Sequence, residues 1–199
     1  MAEVERQLWL ARHGETAWSQ DGRHTGLTDI PLTDAGRAQA TALGQRLAGH
    51  RFALILTSPR SRATETARLA GFAAVADPDL AEWDYGALEG RRTAEIEGDH
   101  PGWTIWTGPW PEGETIDQVT ARADRVLGRC RAPEVRGDTL VFGHGHMLRV
   151  LAARWLGLPG ASGGLFGLST ASVSVLGWEH DRPIIESWNR PTSPRPGAW

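Results

Sequence analysis

The sequence predicts an α/β fold, a three-layer α/β/α sandwich on a mostly parallel sheet, and three observations carry that reading. Short apolar runs alternate with stretches of helical period along most of the chain, the pattern of strands joined by crossover helices. The run at 8–11 reads as a strand buried on both faces, as in parallel sheets. Near the end, 173–176 and 184–188 alternate like an antiparallel pair at a sheet edge.

The elements follow in order. After the strand at 8–11 comes a loop containing Gly and Thr. Thr33 caps a helix over 34–49, with Leu43 and Leu47 on one face. A second strand is expected at 52–56, then Ser58-Pro59 opens a helix running to about residue 70, and 72–76 is a weaker third strand. The segment 98–114, rich in Trp, Pro and Gly, is expected to be irregular surface structure or a lid. Residues 116–131 read as helix, 139–142 as strand and 147–156 as helix. The tail from 191 to 199 holds three prolines and is expected to be disordered, leaving one domain over 1–190.

Composition narrows the function. The chain has 199 residues, enough for one such domain with a substantial core. A net charge of −3 with 23% charged residues excludes a highly charged disordered chain and gives no uniform basic face for nucleic acid. One cysteine, Cys130, excludes an intramolecular disulfide and a cysteine-based zinc cluster. All 21 basic residues are arginine, so a Schiff-base lysine, a P-loop lysine and the ATP-pairing lysine of kinases are excluded. Genomic base composition explains that bias more simply, but the exclusion holds either way. Neither a basic leader nor a run of ~18 apolar residues occurs. A soluble, cytoplasmic protein is expected, with no nucleic-acid or membrane partner.

Two loops stand where ligands of open α/β sheets bind, beyond the carboxyl ends of strands. One is Arg12-His13-Gly14-Glu15-Thr16 and the other Gly143-His144-Gly145-His146. His24, His50, His100 and His180 are read as ordinary surface or core histidines, whereas His13 and His144 each leave a strand beside glycine. A guanidinium next to an imidazole disfavours the imidazolium, so Arg12 keeps the His13 ring neutral and nucleophilic. In Ser58-Pro59-Arg60-Ser61-Arg62-Ala63-Thr64-Glu65-Thr66-Ala67, Arg62 is expected to face the crevice, while Arg60 and Arg68 belong to a solvated helix face.

Arg12-His13-Gly14-Glu15-Thr16 resembles the signature of the histidine phosphatase superfamily, also called phosphoglycerate-mutase-like. The resemblance continues through Gly26-Leu27-Thr28-Asp29-Ile30-Pro31-Leu32-Thr33, the 58–67 segment, Leu80-Ala81-Glu82-Trp83-Asp84-Tyr85-Gly86 and Gly143-His144-Gly145, in family order from about 8 to 158. It implies that fold and a phosphoryl transfer through phosphohistidine, with no cofactor and no metal. His13 would be the nucleophile, with Arg12, Arg62 and His144 around the phosphoryl oxygens. Glu82 would protonate the leaving oxygen and then activate water, and the apolar Trp83 beside it is expected to favour the protonated acid. Ser19, where many relatives have asparagine, Thr25, Gly26, Tyr85 and Gly145 are the further expected substrate contacts.

The family holds mutases and phosphatases. The stretch 103–110 is uncharged here, where phosphoglycerate mutases carry a longer basic insertion, and Arg91 and Arg92 read as a solvated helix start. Phosphatase is therefore expected, resembling a bacterial acid phosphatase group and the sedoheptulose-bisphosphatase branch, with small phosphorylated metabolites, sugar phosphates among them, as substrates. Mutase-type transfer, or a module that only binds phosphorylated ligands, are the alternatives, and self-association is left open. Trp103, Trp106 and Trp110 either roof the site or cover the core. Asp77-Pro78-Asp79 and Cys130-Arg131 lack the placement for other phosphatase chemistries, and His146 is read as supporting the site rather than holding a metal with His144.

Overall fold

The computed structural model describes residues 6–192. In chain order the strands are β1 (Leu8–Arg12), β2 (Leu54–Thr57), β3 (Val75–Ala76), β4 (Thr139–Gly143), β5 (Ser172–Glu179) and β6 (Arg182–Pro191). The helices are α1 (Ala17–Asp21), α2 (Asp34–Leu47), α3 (Ser61–Leu69), α4 (Thr93–Asp99), α5 (Ile116–Cys130) and α6 (Gly145–Trp155). The six strands form one sheet in the order β3-β2-β4-β1-β5-β6. The first four are mutually parallel, with Leu10 opposite Val141 across β1 and β4, while β5 runs antiparallel to β1 and to β6. The expected mostly parallel sheet with an antiparallel edge is what forms.

Alternation along the central strands builds the layers, because successive side chains point to opposite faces. Leu8 and Leu10 of β1 and Val141 of β4 enter one core with Val126, Leu127, Leu148 and Leu151 of α5 and α6. Ala11, Leu140 and Phe142 enter the other, with Leu43 and Leu47 of α2 and Ala67 of α3. Helices thus cover both faces.

Boundaries moved where pairing overrode composition. β2 starts at Leu54 because its partner Thr139 does, and Phe52 before it packs edge-on to Trp9 and Phe72. Ser58 does not open a helix: its N–H extends the ladder to Phe142 O at 2.9 Å, and a residue before proline avoids the helical region. Helix α3 begins three residues later. The weak third strand shrinks to the exposed Val75–Ala76, and the loop after β1 contains the unforeseen α1, capped by Thr16. The segment 98–114 is irregular after α4, but Trp103 and Ile105 are buried core residues. Pro191 closes β6, and the rest of the expected tail lies outside the described residues beyond 192.

Candidate active site

The site lies at the carboxyl ends of β1 and β4, where a cleft of about 230 Å³ opens. His13 is pinned by its backbone: its N–H donates to Gly143 O and its carbonyl accepts from Ala171 N, both at 3.0 Å. Its ring Nδ1 lies 2.7 Å from Gly14 O. A carbonyl only accepts, so Nδ1 carries the proton and Nε2 keeps its lone pair. Burial, and next the charges of Arg12 and Arg62, hold this imidazole well below its ordinary pKa. It is neutral at pH 7.

The second ring, His144, is the N-cap residue of α6 and lies 5.2 Å from His13, centroid to centroid. Arg62 Nε donates to its Nδ1 at 3.2 Å, so the neutral ring donates from Nε2 to Ser58 Oγ at 2.7 Å. Burial foremost, then Arg62, lowers its pKa strongly too. The sequence did not single out Ser58 as a histidine partner.

The two arginines differ. Arg62 is fully buried and donates to the carbonyls of Thr28 (3.0 Å), Thr25 (3.0 Å) and Gly26 (3.1 Å). It clamps the 25–28 loop and orients His144, instead of lining the cleft as expected. Arg12 lines the cleft, gives one bond to Leu168 O and keeps a buried Nε with no partner. Buried donors are rarely left unpaired, which sets this one apart from the fully bonded Arg62. Gly145 makes room for Arg12: a Cβ there would meet its guanidinium at 3.3 Å.

Glu82 lines the cleft, and its carboxylate accepts three backbone N–H groups, from Trp83 (2.9 Å), His146 (3.0 Å) and Met147 (2.9 Å). Two of these are first-turn amides of α6, a site that attracts carboxylates. The apolar setting expected from Trp83 is therefore a polar cradle. Tyr85 lines the cleft with its hydroxyl 2.6 Å from His146 Nδ1. Burial, then Glu82, pushes the phenol well above its usual pKa, so it donates and His146 accepts. His146 is a supporting residue, as expected, and also part of the wall.

Other expected contacts divide. Ser19 lines the cleft, yet its hydroxyl donates to Thr16 O at 2.9 Å and accepts from Thr16 N at 2.8 Å, completing the α1 cap. Thr25 lines the cleft. Gly26 does not: its N–H is spent on Glu89 at 2.8 Å, and a Cβ there would strike Trp83 O. Arg60 is half-buried with an unpartnered Nε rather than solvated, whereas Arg68 is exposed as expected. His50 pairs with Asp138 at 2.8 Å, and His100 and His180 are exposed. His24 is buried, in line with a core histidine, but it also lies 4.8 Å from the Tyr85 ring and lines the cleft, which was not expected. Burial takes it down to about 4.

Arg149 was missed altogether. It lines the cleft, donates to Gly163 O at 3.0 Å and sits 4.6 Å over the Trp106 ring. Its position four residues after Gly145 on one helix face was the available signal. Trp103, Trp106 and Trp110 do not line the cleft, so they back the core rather than roof the site.

A larger cavity of about 350 Å³ lies at the opposite end of the strands, lined by Leu8, Cys130, Trp155 and Trp178 among others. Burial pushes its thiol up to about 12, which removes a thiolate nucleophile there. No cluster of His, Cys, Asp and Glu suited to a metal ion occurs among the described residues, and no helix among them is long and apolar enough to cross a membrane.

The model of the histidine phosphatase superfamily (branch 1) matches residues 8–191. An acid phosphatase of Mycobacterium tuberculosis is 44% identical over 183 residues, covering 90% of each chain. Sedoheptulose 1,7-bisphosphatase of Saccharomyces cerevisiae is 38% identical, covering 79% of this chain and 70% of its own. The solved structure of a Mycobacterium tuberculosis open reading frame product superposes with a TM-score of 0.91 at 40% identity, over 94% of this chain and 99% of that one. Sequence, fold and paired histidines agree: the chain belongs to the histidine phosphatase superfamily and is an enzyme that hydrolyses phosphate esters.

Proposed function

We propose that the protein is a metal-independent phosphomonoesterase for small phosphorylated metabolites, sugar phosphates among them, and that it works through a phosphohistidine on His13. The observation that carries this is the Gly14 carbonyl on Nδ1, which leaves Nε2 as the one lone pair of a neutral ring in the cleft. Nε2 attacks phosphorus, the bond to the leaving oxygen breaks, and Glu82 delivers the proton that oxygen needs. A water then attacks the phosphohistidine and gives its proton to Glu82, while the P–N electron pair returns to Nε2 and phosphate leaves. Arg12, whose guanidinium lines the cleft, and the field of buried Arg62 stabilise the transferring group, while His144, held by Arg62 and Ser58, stands beside His13 without lining the cleft, contrary to its expected substrate contact. Neutral His24 and His146 with Tyr85, Thr25 and Arg149 make a hydrogen-bonding wall suited to a polyhydroxyl leaving group.

The uncharged 103–110 stretch does not reach the cleft, so it supplies no cations to retain a twice-phosphorylated intermediate. That supports hydrolysis over mutase-type transfer. The test is turnover of p-nitrophenyl phosphate with excess chelator, together with rapid quench of the labelled enzyme. A bound phosphate that is labile in acid and survives alkali is expected. The reverse stability, or no phosphoenzyme, overturns the mechanism, and loss of turnover in chelator overturns metal independence.

A further inference from the structure

Glu82 sits on no regular element. It follows the short turn Pro78–Leu80, and no strand aligns it as β1 aligns His13. Its backbone is gripped instead by an ion pair that stays out of the cleft. Arg122 of α5 forks the Glu114 carboxylate, Nε at 2.7 Å and NH2 at 2.6 Å. Its NH1 donates to Asp79 O at 2.7 Å and Ala81 O at 2.8 Å, and NH2 reaches Glu82 O at 3.4 Å. Glu114 holds the far side: Oε2 accepts from Asp84 N at 3.0 Å, its carbonyl from Trp83 Nε1 at 2.7 Å, and its N–H donates to Asp84 O at 2.9 Å. Both side chains are largely buried, at 13% and 22% exposure, so solvent screens the pair only in part.

We propose that the Arg122–Glu114 pair positions the Glu82 carboxyl for proton transfer. The cation collects the carbonyls of Asp79, Ala81 and Glu82, and the anion's residue ties down Trp83 and Asp84. Glu82 is held between them, so its carboxylate meets the α6 amides at the edge of the cleft. Only the planar fork of arginine serves a bidentate carboxylate and two carbonyls together, and a lysine would give up half of this. Trp83, stacked 6.1 Å from Trp110 and edge-on to Trp106 at 5.9 Å, joins the clamp to the Trp-rich segment. That segment, which ends at Glu114, thus serves as the buttress of the acid loop.

The inference rests on Glu82 being the proton donor. The test is single-turnover phosphorylation of the enzyme by glycerol 2-phosphate, whose leaving alkoxide needs a proton, and by p-nitrophenyl phosphate, whose leaving group needs little. Arg122→Gln is expected to slow the alkyl substrate roughly tenfold or more and the aryl substrate less than about threefold. In a Glu82→Gln background the same change is expected to cost the alkyl substrate less than about twofold, because the group it positions is already gone. Should Arg122→Gln not fold, Glu114→Gln, which keeps an acceptor for Asp84 N, is expected to give the same selective loss. Equal losses on both substrates, no loss, or a full further loss on top of Glu82→Gln overturn the positioning role while leaving the phosphohistidine intact. If the native enzyme traps no phosphohistidine, the underlying reaction fails first, which is separately visible.

Discussion

His13 and Glu82 face one cleft from opposite kinds of support. His13 is carried on the end of a central strand, with backbone bonds to the neighbours on both sides and a third from its ring to the next carbonyl. Glu82 hangs on an irregular loop and is placed by three amides, two of them at a helix start more than sixty residues downstream, and by a buried ion pair. The group proposed to make a covalent bond is fixed by the sheet, which does not adjust. The group proposed to move a proton is fixed by backbone amides and an ion pair gathered from separate parts of the chain. The position of the proposed nucleophile is thus a property of the fold, and that of the proposed acid largely a property of a few distant residues.

That contrast breaks most sharply at the nucleophile. His13→Ala is expected to lower kcat about 10⁴-fold or more and to abolish the trapped phosphoenzyme, since no other neutral ring in the cleft has a free nitrogen with this support. A variant within tenfold of native would mean that the sheet-borne histidine is not the reacting one. Arg62→Ala comes next. It strands three loop carbonyls and the His144 Nδ1 together, so about 3 kcal/mol or more of stability should go with a large part of kcat/KM. Denaturant unfolding checks it, and an unchanged midpoint would show that Arg62 is not a clamp.

The buried histidines predict a pH response. His24 has a folded pKa of about 4 against an unfolded value near 6.5, so below pH 6.5 the unfolded chain binds a proton that the folded chain refuses. Stability therefore falls as pH drops through that window, and His13, His144 and His146 act in the same direction. His24→Phe should lose less than native, by on the order of 3 kcal/mol at pH 4, in unfolding titrations across the range. Parallel pH curves would remove His24 from the response. The smallest effect is expected at Ser19. With its hydroxyl committed to Thr16, Ser19→Ala should cost about 1 kcal/mol as a lost cap while changing KM less than about twofold. A large rise in KM would return Ser19 to the substrate.

Much of the site was readable from residue order. Loops that follow buried strands and carry histidine beside glycine must lie at one end of the sheet, which is how His13 and His144 were found. Arg12 and Glu82 were found by their motifs. Gly26, Arg62 and His144 were placed correctly in the chain but do not line the cleft, because a backbone N–H, a guanidinium or an imidazole can face ligand or protein, and only folded neighbours decide. His24 and Arg149 escaped because a histidine in a loop and an arginine in a helix have common ordinary uses.

What the sequence alone determined was the alternation of strand and helix and the kinds of side chain at the strand ends, whereas a phosphoryl-handling histidine was what the resemblance to the histidine phosphatase superfamily implied. Those follow from periodicity and local chemistry, which reach only a few residues along the chain. The tertiary structure decided which ring nitrogens are engaged, which arginine holds protein and which lines the cleft, and how Glu82 is aimed. Each of those depends on partners tens of residues away, brought within 3 Å only when the two cores close on the sheet.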